Sequence, residues 1–151
     1  GKMIKALSPQ STDIALVIGA GAGYETAVLS RIVETVIALE DDEDVVDELT
    51  GRLASLNLDR AVAVQGDLRE GLADQAPFDI ILVTGMIEQA PETWFSQLAE
   101  GGRLGAAVPI GRDVGRARIW TRAGDNVSSR DAFDCSPPRL AGFEKAKSFV
   151  F

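Results

Sequence analysis

The chain of 151 residues contains no histidine and a single cysteine, Cys135. The first absence removes His-based catalytic triads, imidazole metal sites and His proton shuttles. The second removes an internal disulfide and any CxxC metal or redox motif. Basic residues are in the minority, 15 Lys and Arg against 23 Asp and Glu, for a net charge of −8. That balance argues against a nucleic-acid or membrane partner, because either surface is bound through a basic patch. No apolar run approaches the roughly 18 residues of a membrane span, and no signal-peptide pattern is visible at the start of the sequence. A cytoplasmic, reducing compartment is expected.

What is present is 46% hydrophobic and 25% charged residues, the composition of a globular rather than a disordered chain. A chain of this length buries roughly 70% of its unfolded surface, enough for a core without disulfide or metal staples. No linker or repeat divides it, so a single domain over 1–151 is expected. The opening Gly1-Lys2-Met3 runs straight into apolar residues and reads as the middle of an element. It suggests a chain that lacks an N-terminal segment.

Short apolar runs alternate with helical periodicity. Residues 4–7 read as the end of a helix stopped by Ser8-Pro9. Continuous apolar runs at 13–18, 36–39, 61–64, 78–84 and 104–108 predict strands, most of them buried on both faces. Between them, 24–32 reads as a helix with Ala27, Val28 and Ile32 on one side. The segment 43–56 carries the stripe Val45, Val46, Leu49, Leu53 and Leu56. A further helix is expected over 91–98, with Pro91 in its first turn and Gly101-Gly102 as its stop. The crossover between the third and fourth strands shows no clear pattern. Strands at 117–121 and 127–133 flank Ala123-Gly124-Asp125-Asn126, a hairpin signal, and 147–151, with Phe149 and Phe151, reads as a last short strand. Alternating strands and amphipathic helices imply a parallel sheet covered on both faces.

In such a sheet ligands bind at the carboxyl ends of the strands, near the switch in strand order. Three strand ends carry suggestive residues. The first runs into Gly19-Ala20-Gly21-Ala22-Gly23, where glycine lets a ligand approach the backbone and the next helix directs free N–H groups into the same space. The second ends at Glu40, a carboxylate suited to a ribose. Most of the acidic run after it reads as a solvated helix N-terminus, with Asp41 placed beside an adenine. The third is followed by Asp67, placed to accept from an adenine amino group or, equally, to cap the turn after it. A nicotinamide loop wants Gly or Ala at position 24; Tyr24 stands there, and the G-x-G-x-G spacing is that of S-adenosyl-L-methionine sites. No Lys-Ser/Thr pair follows, which excludes a phosphate-binding P-loop.

These residues in this order resemble the class I S-adenosylmethionine-dependent methyltransferases, and more narrowly the protein-L-isoaspartate O-methyltransferase family. The matching stretches are IALVIGAGAGYETAVLSRIV, VIALE, GDLREGLADQAPFDIILVTG, LAEGGRLGAAVPIG and RLAGF. The resemblance implies a Rossmann-like three-layer α/β/α sandwich, mostly parallel and ending in an antiparallel C-terminal hairpin. It implies methyl transfer from S-adenosyl-L-methionine to isoaspartyl carboxylates of protein or peptide substrates, the opening step of protein repair. Gly19, Ala20, Gly21, Gly23 and Tyr24 would line the methionine part, Glu40 and Asp41 the ribose and adenine side, Asp67 and Leu68 the adenine, and Thr84 and Gly85 the transferred methyl. Val17 stands where the family usually carries an acid, and Gly85-Met86 where it carries small residues. Both departures favour an alternative reading, a non-catalytic module on the same fold. Met86 is a candidate substrate contact, whereas Trp94, Trp120 and Cys135 are expected to be packing residues.

Overall fold

The computed structural model describes residues 1–19, 21 and 23–145. It contains a seven-stranded sheet of order β3-β2-β1-β4-β5-β6-β7. The strands are β1 (Ile14–Ile18), β2 (Thr35–Glu40), β3 (Ala61–Gln65), β4 (Phe78–Met86), β5 (Leu98–Gly111), β6 (Val114–Ala123) and β7 (Asn126–Cys135). The five strands β1 to β5 are parallel, and β6 and β7 complete the sheet antiparallel. The helices are α1 (Lys2–Leu7), α2 (Tyr24–Ser30), α3 (Glu43–Ser55) and α4 (Glu92–Ser96).

The apolar runs produce two cores because strand side chains alternate between faces. Ala15, Val17, Val36, Ala38, Ile80 and Leu82 point to one face and meet Ile4, Leu7, Leu29, Leu49 and Leu53 of α1, α2 and α3. Leu16, Ile18, Ile37, Leu39, Ile81 and Val83 point to the other and meet Leu68, Trp94 and Phe143. Crossovers from β1 to β2 to β3 thus run over one face and those from β3 to β4 to β5 over the other. The direction changes between β1 and β4, and that is the switch point.

Several boundaries differ from the sequence reading. The fully buried residues of α2 are Thr26, Leu29 and Ser30, followed by Val33; of the expected side, Val28 packs half-buried against the same core, and Ala27 and Ile32 do not belong to it. The polar Ser30 can lie inside because its hydroxyl donates to the Ala27 carbonyl at 2.7 Å. The helix ends at Ser30 and leaves Ile32 at the surface. Leu56 lies just past α3 and is exposed, while Asp42 caps that helix by accepting from the Asp44 N–H at 2.8 Å. Pro91 is the N-cap of α4 rather than part of its first turn. Gly101-Gly102 does not stop a helix; it kinks β5, which already begins at Leu98. The pairing of β4 with β5 shifts there, between Phe78↔Leu98 and Ile80↔Arg103. A Cβ on Gly102 would stand 2.8 Å from the Ala99 carbonyl oxygen and 3.0 Å from that of Phe78. The unpatterned crossover consists of two 3-10 turns, Leu68–Glu70 and Ala73–Gln75. The strand expected at 147–151 lies outside the described residues.

After β7 the chain turns back as a strap, residues 136–145. It enters the lane that β1 vacates when it ends: the Met86 N–H donates to the Pro138 carbonyl and the Leu140 N–H to the Met86 carbonyl, both at 2.8 Å. Phe143 then packs on Trp94 with ring centroids 5.0 Å apart.

Candidate functional site

The carboxyl ends of β3, β2, β1, β4 and β5 line up in that order along one edge of the sheet, and the residues singled out from the sequence follow the same order. At the β3 and β2 ends, Asp41, Gln65, Gly66 and Asp67 surround an open hollow of about 510 Å³. Asp67 caps the following 3-10 turn, accepting from the Arg69 N–H at 2.9 Å. The Leu68 side chain does not face the hollow but lies in the core, and its carbonyl accepts from the Trp94 indole at 2.8 Å.

One lane over, a Glu40 carboxylate oxygen accepts the Gly21 N–H at 3.0 Å, tying the glycine turn to the end of β2. The other oxygen has no partner among the described residues. Gly19 follows β1 with φ +74°, a conformation that only glycine adopts at little cost. A Cβ there would also crowd the Thr84 hydroxyl at 3.1 Å and Leu140 at 3.3 Å. Thr84, on β4, has its one hydroxyl proton within reach of the carbonyls of both Ile18 and Gly19, so both sides of the switch point are tied together. Gly23 caps α2, and Ala20 lies outside the described residues. Gly85 faces the strap: a Cβ on it would stand 2.9 Å from that of Leu140.

Beyond Thr84 the edge opens into a second cavity of about 280 Å³, bounded by α1, the start of α2, β4, β5 and the end of β7. Its walls are mainly apolar, including Met3, Ile4, Leu82, Val83, Ala107 and Phe133. Tyr24, Glu25, Lys2 and Cys135 also line it. The Lys2 ammonium lies 5.8 Å from the centre of the Phe133 ring. Burial pushes the Cys135 thiol above its ordinary pKa, and the neighbouring Asp134 carboxylate adds to the shift.

The structure therefore brings Gly19, Gly21, Glu40 and Thr84 into direct or one-step contact, with Asp41 and Asp67 on one side and Tyr24 on the other. Met86 is buried, its methyl group packed on Gly115, so it is not placed as a substrate contact. Trp94 is fully buried and Trp120 packs on Phe95, both as packing residues. The sequence reading missed the walls of the second cavity. Lys2, Phe133 and Cys135 come from the two ends of the chain, and no spacing signals their meeting. Glu25 was within reach of the reading, since it directly follows Tyr24 in the first turn of α2.

A doubly wound sheet of this order, closed by an antiparallel pair and carrying a glycine turn and an acid at the switch point, defines a Rossmann-like fold of the methyltransferase type. A family model for protein-L-isoaspartate(D-aspartate) O-methyltransferase matches residues 1–135, and the chain belongs to that family. It is 35% identical over 131 residues to the protein-L-isoaspartate O-methyltransferase of Photobacterium profundum, covering 87% of this chain and 62% of the relative. It is 41% identical over 117 residues to that of Pseudomonas paraeruginosa, covering 77% and 54%. The chain thus spans between half and two thirds of the length of these relatives. Among solved structures, a protein-L-isoaspartate O-methyltransferase superposes with a TM-score of 0.84 at 24% identity, over 93% of this chain and 46% of the other. A Plasmodium falciparum beta-aspartate methyltransferase in complex with S-adenosyl-L-homocysteine gives 0.73 at 20% identity, over 92% and 69%. At these identities the superpositions show the fold.

Proposed function

We infer that residues 1–151 act as one S-adenosyl-L-methionine-dependent methyltransferase domain, in the cytoplasm, with isoaspartyl carboxylates of proteins or peptides as the methyl acceptors. The observation that carries this reading is the linear order along the sheet edge: nucleoside-sized hollow, Glu40, glycine turn, Thr84, apolar cavity. Three lanes at about 4.8 Å separate the β3 end from the β4 end, about 14 Å in all, a span that suits a nucleoside with an amino-acid tail. The residues fit the group. Glu40 has one carboxylate oxygen without a partner among the described residues, suited to ribose hydroxyls, and the glycine turn leaves open a space that side chains would narrow. Asp41 and Asp67 border the hollow that would take the adenine.

S-adenosyl-L-methionine supplies a methyl group activated on a sulfonium. An isoaspartyl carboxylate is ionised at neutral pH, so this chain has no proton to remove from the acceptor. Its task is alignment and the exclusion of water. Thr84 fixes the glycine turn, the apolar walls keep water out, and Lys2 places a positive charge on the lining for an anionic acceptor. Positioning of this kind is worth up to roughly 7–11 kcal/mol in well-oriented reactions.

The test is calorimetric titration of the chain with S-adenosyl-L-methionine and S-adenosyl-L-homocysteine, with NAD as the control. Saturable binding of both sulfur compounds, weakened at least tenfold in Glu40→Ala, is the expected result, the factor being about that of one charged hydrogen bond. Ligand at about 100 times its Kd should also stabilise the chain by about 2.7 kcal/mol. Preference for NAD, or no binding at millimolar ligand, rejects the reading. Binding without methyl transfer to an isoaspartyl peptide would favour the non-catalytic alternative.

A further inference from the structure

Glu25 is not used by the reading above. It is the acidic side chain on the lining of the apolar cavity, half-buried, and it makes no hydrogen bond or ion pair among the described residues. Thr84 lies on the same lining and holds the carbonyls of Ile18 and Gly19, so the cavity begins at the glycine turn. The rest of the lining is mainly apolar, with Leu82, Val83 and Ala107, the neutral polar groups of Tyr24, Thr84 and Cys135, and one cationic side chain, Lys2. A carboxylate in the first turn of a helix favours the helix dipole, but one turned to solvent does so without the cost of partial burial. What the cavity lacks without Glu25 is any negative side chain where a cationic methyl donor must sit.

We propose that Glu25 is the counter-charge for the sulfonium of the methyl donor, and so a specificity-determining residue that favours the cationic donor over the neutral thioether product. The proposal rests on the reading of the site as one for S-adenosyl-L-methionine. It assigns the two charged side chains on the cavity lining to opposite partners: Glu25 to the cationic donor and Lys2 to the anionic acceptor. A site of this kind also releases its product readily, because the attraction disappears once the methyl group has left.

The test compares two ligands that differ by one methyl group and one charge. In Glu25→Gln the affinity for S-adenosyl-L-methionine should fall by about tenfold, as expected for losing an opposite charge in a partly screened site. The affinity for S-adenosyl-L-homocysteine should change by less than about threefold, because its sulfur is neutral. Glu25→Asp, which keeps the charge, should retain the preference for the cationic ligand. The unliganded melting temperature of each variant reports on folding separately. Equal weakening of both ligands, or no change in either, overturns the proposal while leaving the site reading intact. If the unaltered chain binds neither ligand, the site reading fails and this proposal fails with it.

Discussion

At the residue scale, the glycines of the turn divide by what they leave room for. Gly19 opens onto Thr84 and the strap, at the switch point itself. Gly23 has another reason to be glycine: it caps α2 with φ +81°, and a Cβ there would stand 2.4 Å from Leu49 Cδ1 of α3. Leu49 is buried and has little freedom to retreat. Gly23→Ala should therefore destabilise the chain by about 2–3 kcal/mol in urea unfolding, the sum of left-handed strain and overpacking. An unchanged urea midpoint would show that the position is glycine only for a ligand's sake. The spacing of the three glycines was legible in the sequence, but their separate reasons were not. Nothing in GAGAG tells that the last glycine faces a leucine 26 positions on, because that contact exists only once α2 and α3 pack side by side. Leu68 and Gly85 teach the same lesson. Leu68 follows the end of β3 and Gly85 lies at the end of β4's ladder, as site residues should, yet one fills the core and the other makes room for Leu140.

At the scale of elements, the strands buried on both faces were the most legible part, because their apolar runs are too short for a buried helix and are bounded by turn residues. The edge strand β7 is the opposite case. Apart from Val127 its exposed positions are polar, and it is held to β6 by side chains as well as by the ladder. Arg118 donates to Asp131 at 2.9 Å, and Arg116 donates to Asp134 at 3.0 Å. The hydrogen bond from Arg118 holds the Asp131 carboxyl below the usual carboxylate range, with the charges of Arg118 and Arg116 assisting against a smaller opposing effect of desolvation. A carboxyl whose folded pKa is depressed stabilises the fold above its unfolded pKa, and the effect is lost as the pH falls through the folded value. Wild type should thus be more stable than Asp131→Asn at pH 7 and at pH 5. The difference should shrink below about pH 4. Urea midpoints for the two proteins at pH 7, 5 and 3 check this, and a gap that stays constant with pH would assign the effect to packing. The pair is solvent-exposed, so high salt should narrow the gap as well.

At the scale of the whole molecule, the second cavity depends on α1, among the described residues the one helix that is not part of a crossover. It is fastened mainly at its far end. Arg103, in β5, donates to the carbonyls of Leu7 at 2.9 Å and Ser8 at 3.0 Å, and pairs with Asp13 at 3.1 Å. Arg130, in β7, donates to the Ala6 carbonyl at 3.2 Å. These cations meet the carbonyl end of the helix, where the dipole favours them, and the other end, Gly1 to Ile4, is left to wall the cavity. No local pattern in the sequence could reveal this tie, since Arg103 and Asp13 stand 90 positions apart. Both side chains of the pair are largely buried, so removing Arg103 leaves the Asp13 carboxylate with no cation and only the Gln10 N–H, which donates to the same oxygen at 2.8 Å. Arg103→Ala should cost about 3 kcal/mol, within the range for breaking a buried pair. Adding Asp13→Asn should recover part of that loss, because the stranded charge is then gone. Urea unfolding of the two single variants and the double variant measures the coupling directly. Additive losses would mean that Arg103 acts through the Leu7 and Ser8 carbonyls alone. Recovery in the double variant would mean that the ion pair holds the helix, and with it the wall of the cavity.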